Sequence, residues 1–251
     1  MTVDWESKFI VFTTNRSGSE WVISTLNSLH DVTAQGELFL PRARKSERRW
    51  DTDFARPRFI ETKPDGLPFR PFSVFSYLNA LYSTPGKVGF KLMYAQLGLY
   101  PEILAYLIWH RIRVVHLVRR NHLDVLLSFA VKAKLGKAHL LSGQSAPNEL
   151  RVELEIDDLV QRLEQLEKKQ NLARKLLVWC RLPHMEIAYE DLLLDQDRFH
   201  LIWDFLSIRP TGPYPRSTLV KIRKGGHREV IVNYDQVKER LANSKFAGLL
   251  E

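Results

Sequence analysis

Three segments and one isolated lysine have the residue types and spacing to handle an anion. Asn15-Arg16-Ser17-Gly18-Ser19-Glu20-Trp21 follows the apolar run of residues 8–14 and opens a helix-like stretch. A strand, a short polar loop and a helix in that order aim backbone N–H groups and a helix N-terminus at one point, which suits a phosphate. In residues 114–129 a second strand-like run ends at Arg119-Arg120, and Asn121 is placed to cap a helix that carries Asp124 and Ser128. Arg120 and Ser128 reach one small anion if that helix folds back beside the strand end. Residues 221–229, KIRKGGHRE, put Arg223, Lys224 and Gly225 in a flexible cationic loop able to close over a phosphate. Lys91, in the strand-like KVGFKLM, is a charge among apolar neighbours and needs a partner, which points it into a site; a lysine snorkelling to solvent is the plainer alternative. Taken singly, each cationic segment also reads as an ordinary polar turn or a solvated basic face.

The elements that must hold these groups alternate. Strand-like runs at 8–14, 87–93, 113–118 and 184–189 are nearly continuous in apolar character, as expected of a sheet covered on both faces. Between them lie helical patterns, the clearest at 157–179, where Leu159, Leu163, Leu166, Ala173 and Leu176 recur on one side. The expected fold is α/β: a central parallel sheet flanked by helices, with ligands beyond the carboxyl ends of the strands. The loop at 15–19 falls at such an end. Residues 41–72, rich in proline, arginine and lysine, and residues 134–150, without clean periodicity, read as long loops.

Composition limits the choices. No linker or compositional break divides the 251 residues, so a single domain, 1–251, is expected. An excess of 37 Lys+Arg over 29 Asp+Glu suits a polyanionic ligand, a nucleic acid or an anionic surface equally well. The single cysteine, Cys180, excludes an internal disulfide framework, the first residues lack the layout of a signal peptide, and no apolar run is long enough to span a bilayer. A cytoplasmic protein without stable membrane insertion is expected.

In their order along the chain, the three segments resemble the sulfotransferases that use 3′-phosphoadenosine 5′-phosphosulfate (PAPS), and among these the bacterial carbohydrate-type members, such as the nodulation-factor and trehalose sulfotransferases. The resemblance implies a P-loop-like nucleotide-binding architecture in which Asn15, Arg16, Ser17, Gly18, Ser19, Glu20 and Trp21 hold the 5′-phosphosulfate. It further implies that Arg120 and Ser128, eight residues apart, bind the 3′-phosphate and that Arg223-Lys224-Gly225 closes over it. Residues 187–206 also look like the family's strand-to-helix segment. Cytosolic members usually carry lysine where this chain has Arg16.

The implied reaction is transfer of a sulfuryl group from PAPS to a hydroxyl acceptor, a carbohydrate, glycolipid or other small molecule, leaving adenosine 3′,5′-bisphosphate (PAP). In-line transfer of this kind depends on positioning and electrostatics and needs no metal. The resemblance makes Glu37 in AQGELF the general base and puts Arg16 in the loop at the transferring group, with a solvated loop carboxylate the alternative for Glu37; Lys91, pointed into the site, would meet the sulfate or the acceptor. His116 reads as a core or surface residue rather than a catalyst, whereas His110, His122 and His139 stay open as bases. Two other classes fit less well. An ATP-dependent phosphotransferase is opposed by the absence of Walker A spacing and of Gly-Lys-Ser/Thr, and a nucleic-acid-binding module by the absence of an aromatic RNA-binding signature.

Overall fold

Among the described residues the strands are β1 (Lys8–Thr13), β2 (Val32–Glu37), β3 (Lys87–Met93), β4 (Arg113–Val118), β5 (Leu140–Leu141), β6 (His184–Ala188) and β7 (Leu219–Val220), with β-branched and aromatic residues most concentrated in β1. Helices fill the intervals: α1 (Ser19–Asn27), α2 (Arg70–Tyr82), α3 (Tyr94–Leu99), α4 (Glu102–Trp109), α5 (His122–Leu135), α6 (Leu159–Trp179), α7 (Tyr189–Leu194), α8 (Phe199–Leu206), α9 (His227–Val230) and α10 (Tyr234–Ala242). These assignments come from a computed structural model that describes residues 4–39, 70–135, 140–141, 150–210, 219–220 and 225–250.

The chain divides into two units, Met1–Val118 with Ala173–Ser217 and Arg119–Leu172 with Thr218–Glu251. The first holds a five-stranded parallel sheet in the order β2-β3-β1-β4-β6. Strand β1 is central and all six of its residues are buried, because helices cover both faces. On one face Ile10, Phe12, Phe90 and Val114 pack against Val74 and Leu78 of α2 and Ile103 of α4. On the other, Phe9, Val11, Val115 and Ile187 meet Val22 and Leu26 of α1 and Ile202 of α8. Each such side chain contributes about 1.5–3 kcal/mol by leaving water, so the alternating faces of β1 fix its register. The fold is therefore α/β, with a central parallel sheet flanked by helices, and it is compatible with nucleotide binding at the carboxyl ends of the strands.

In the second unit α5, the start of α6, α9 and α10 close around Leu123, Leu127, Leu163, Ile231, Val237 and Leu241. Val152 and Ile231 bridge in parallel, and β5 pairs antiparallel with β7. Asn121 caps α5 as its sequence position predicts: its Oδ1 accepts from the Asp124 N–H at 3.0 Å. Its Nδ2 donates to the Leu249 carbonyl at 2.9 Å, tying the helix start to the last residues. Among the described residues no helix is long and apolar enough to cross a membrane.

Candidate functional site

The loop after β1 is built from within. Thr13, fully buried, has its hydroxyl 2.6 Å from both the Leu117 carbonyl and the Ser17 hydroxyl. One hydroxyl has one proton and a carbonyl only accepts, so Thr13 donates to Leu117 and receives the Ser17 proton. That locks the loop to the end of β4. Arg16 takes a left-handed conformation (φ 64°), and so does Gly18 (φ 82°). Gly18 is required twice over, since a Cβ there would also sit 2.2 Å from the Tyr189 ring. Gly18 is the N-cap of α1, with no side chain to cap it, and its carbonyl accepts from the Trp21 N–H at 3.0 Å. Trp21 packs edge-on against Tyr189 and Phe199, at centroid distances of 5.8 and 5.2 Å. Sequence reasoning did not single out Tyr189; its signal was the strand-to-helix junction at residues 187–190, without any indication of where the ring would lie.

Next to this loop, on the first turn of α1, Glu20 forms a close ion pair with Lys91 of β3. Lys91 Nζ also lies 3.1 Å from Glu37 Oε1. Its side chain is only 3% exposed, so the lysine is neutralised internally rather than by solvent. Burial by itself pulls the Lys91 ammonium down, but the Glu20 and Glu37 carboxylates outweigh it and raise Lys91 above its ordinary value.

Glu37 reaches Lys91 through an irregularity of β2. Gln35 pairs with Phe90 and Glu37 with Lys91, so Gly36 is an extra residue in the ladder. In an unbroken ladder Gly36 would face Lys91 and the Glu37 side chain would turn to the opposite face of the sheet. Gln96 then fixes the carboxylate. Its Oε1 accepts from the Met93 N–H at 2.9 Å, which leaves Nε2 to donate to Glu37 Oε2 at 3.2 Å. Glu37 thus ends a strand rather than lying in a loop, and Gln96 is a partner that sequence reasoning missed.

On the opposite face of the sheet His116, buried in β4, takes no part in this cluster. The Tyr94 hydroxyl lies 2.6 Å from His116 Nε2, and His116 Nδ1 is 3.0 Å from Glu186 Oε2, at an angle outside hydrogen-bond geometry. Glu186 also receives two hydrogen bonds from Arg174, at 2.7 and 2.9 Å. Burial would raise the Glu186 carboxyl, but His116 and Arg174 hold it down at about 2. His110 stacks on Trp5 with centroids 3.8 Å apart, at the amino end of β1 and so away from Glu37.

In the second unit Arg119 and His227 meet at Asp124. Arg119 Nη2 donates to Asp124 Oδ2 at 2.8 Å, and His227 Nε2 lies 3.0 Å from Asp124 Oδ1. Asp124 therefore joins the segment leaving β4, helix α5 and the start of α9. Arg120 is exposed beside Arg119, and Ser128 is half-buried one helical turn after Asp124 on the same side of α5. Gly225, two residues before His227, is left-handed (φ 98°), and a Cβ there would meet the Glu229 carboxylate at 2.1 Å. His122 is buried in the first turn of α5. Arg223, Lys224, His139 and most of the two loop stretches, 41–72 and 134–150, lie outside the described residues.

The chain matches no protein-family model, and no curated protein matches it.

Proposed function

We propose that the protein is a PAPS-dependent sulfotransferase acting on a hydroxyl acceptor. The observation that carries this reading is the Glu20–Lys91–Glu37 cluster beside an anion-suited loop at the carboxyl end of the central strand. The loop and the first turn of α1 provide N–H groups and the Arg16 charge for the 5′-phosphosulfate, with Asn15, Ser17, Gly18, Ser19, Glu20 and Trp21 forming its walls. Arg120 and Ser128, with Arg223, Lys224 and Gly225, bind the 3′-phosphate, whose charge of about −1.5 to −2 requires its own cationic grip.

In this reading Glu37 takes the proton of the acceptor hydroxyl as its oxygen attacks sulfur. The S–O bond to the PAP phosphate breaks, and the electron pair leaves with that phosphate. Arg16 and Lys91 stabilise charge building on the sulfuryl oxygens and the leaving phosphate, and Gln96 keeps the Glu37 carboxylate turned toward the cluster. The acceptor is a carbohydrate, glycolipid or similar hydroxylated molecule, and neither a metal nor a nucleic acid is part of the reaction. A cytoplasmic location follows from the reading of the sequence.

The alternative, an ATP-dependent phosphotransferase with an atypical phosphate loop, draws only on the loop and leaves Arg120 and Ser128 without a role. The test is to incubate the protein with PAPS and a panel of hydroxylated acceptors in the presence of a chelator, and to look by mass spectrometry for addition of one SO₃ unit together with release of PAP. Transfer is expected with PAPS and absent with ATP and magnesium.

A further inference from the structure

The chain uses one hexapeptide design twice. Leu107-Ile108-Trp109-His110-Arg111-Ile112 ends α4 and Leu177-Val178-Trp179-Cys180-Arg181-Leu182 ends α6, each just before a strand. The two helix ends close in the same way. Arg111 and Arg181 are left-handed, at φ 50° and 48°, where glycine is the usual residue. The Ile112 N–H donates to the Leu107 carbonyl at 3.0 Å, and the Leu182 N–H to the Leu177 carbonyl at 3.2 Å. Leu107, Ile112, Leu177 and Leu182 are buried in one core cluster, whereas Trp109 and Trp179 are 79% and 72% exposed. The copies are also in register: the motif recurs at an offset of 70 residues, and Val114 of β4 pairs with His184 of the neighbouring β6 at that same offset. Both tryptophans therefore lie at the same level of the amino edge of the sheet, on the face that α4 and the end of α6 cover.

We propose that this edge is a docking surface for an anionic lipid bilayer, with Trp109 and Trp179 entering the headgroup region and Arg111 and Arg181 meeting lipid phosphates. Helix termination accounts for part of the motif, since a cation is favourable at a helix C-terminus. It does not call for tryptophan. Among the described residues neither indole makes a hydrogen bond or a ring contact, and Ile108 and Val178 beside them are exposed as well. An indole, apolar over most of its area with one N–H, suits the boundary between acyl chains and headgroups. Charge then selects the kind of surface. Residues 103–123 and 173–185 contain no aspartate or glutamate, and Lys175, one turn before Trp179, adds to the two arginines. The acidic residues before β1 are engaged locally: Asp4 caps the turn there and Glu6 lies 3.9 Å from Arg113. Protruding apolar side chains ringed by cations match anionic headgroups, whereas RNA would leave Ile108 and Val178 without a use. The candidate site lies at the carboxyl ends of the strands, on the opposite edge of the same sheet, so this surface is separate from it.

The experiment is flotation of the full chain with vesicles of phosphatidylcholine alone and of phosphatidylcholine with about one-third phosphatidylserine, read as the partition of protein onto lipid. The wild type is expected to partition about tenfold or more in favour of the anionic vesicles, and less as salt is raised. Trp109→Ser with Trp179→Ser should lower that partition about tenfold or more, and so should Arg111→Asn with Arg181→Asn, asparagine being tolerated in the left-handed region. All four side chains are exposed, so the melting temperature should hardly change. If the tryptophan pair does not fold by circular dichroism, the arginine pair decides, and in the wild type itself indole emission should be quenched by bromine-labelled acyl chains. A wild type that stays off anionic vesicles overturns the inference, as do folded variants that bind like the wild type. Binding of single-stranded RNA, without vesicle binding and lost with the same tryptophans, overturns it in favour of a nucleic-acid surface.

Discussion

Glu37 stands opposite Lys91 because β2 carries one residue more than β3 at that point, and the extra residue is Gly36. The bulge turns a carboxylate that would have faced the other side of the sheet onto a buried ammonium. Glu37, from an edge strand, thereby joins Glu20 of α1 at one lysine.

Glu37→Gln keeps the side chain's shape and removes its basicity. Binding of PAP is expected to be unchanged, and sulfuryl transfer to an acceptor found by mass screening should drop by about 10²- to 10⁴-fold, the range for a lost acid–base group. Single-turnover kinetics checks this, because it separates chemistry from product release.

Lys91→Met leaves Glu20 and Glu37 facing each other without their counter-charge. Breaking a buried ion pair costs about 3–5 kcal/mol, and the low end applies here because both carboxylates are partly exposed. Urea unfolding at neutral pH is the measurement, and a loss under about 1 kcal/mol would show that the cluster is not what holds this edge of the sheet.

Gly18→Ala strains a left-handed position and drives a methyl into the Tyr189 ring. Destabilisation of about 1–3 kcal/mol is expected, with loss of PAP binding. Adding Tyr189→Ala should relieve the overlap but not the backbone strain, so thermal unfolding of the double variant separates the two causes.

The Glu186 carboxyl is held at about 2, below its ordinary value of 4.5. A depressed carboxyl stabilises the folded state above its unfolded value, and that contribution disappears as pH falls through the folded value. Glu186→Gln should therefore lower the melting temperature at pH 6–7, and the gap to wild type should close between about pH 4.5 and pH 2. The effect is modest because Glu186 is about one-third exposed and partly screened by water. Melting curves across that range decide it; a gap that persists at the acid end would mean the side chain acts through packing instead.

The inner strands, buried on both faces, were legible in the sequence, with observed bounds of 8–13, 87–93 and 113–118 against runs expected at 8–14, 87–93 and 113–118; the edge strand β6, observed at 184–188 and expected at 184–189 as a strand covered on both faces, is instead largely exposed over His184–Glu186. Continuous burial leaves a continuous apolar signal. The other edge strand, β2, VTAQGE, was not legible, because it has few large apolar residues and its glycine reads as a loop. Its bulge is a property of two strands together, so no reading of one segment could place Glu37 against Lys91. Long-range pairs were hidden for the same reason: Asp124 and His227 are both ordinary in their own segments, and Tyr189 gives no local sign that its ring will cover Gly18. By contrast, Asn121 could be read as a cap, since a cap is fixed by its own helix.

The most direct test of the donor assignment is calorimetric titration of the protein with PAP in the presence of a chelator, set beside titration with ATP and magnesium. Metal-independent binding of PAP is expected, weakened by about 1.5–3 kcal/mol in Arg120→Ala, as for loss of a charge-assisted contact. Binding of ATP with magnesium but not of PAP, or PAP binding that Arg120→Ala leaves unchanged, would contradict it.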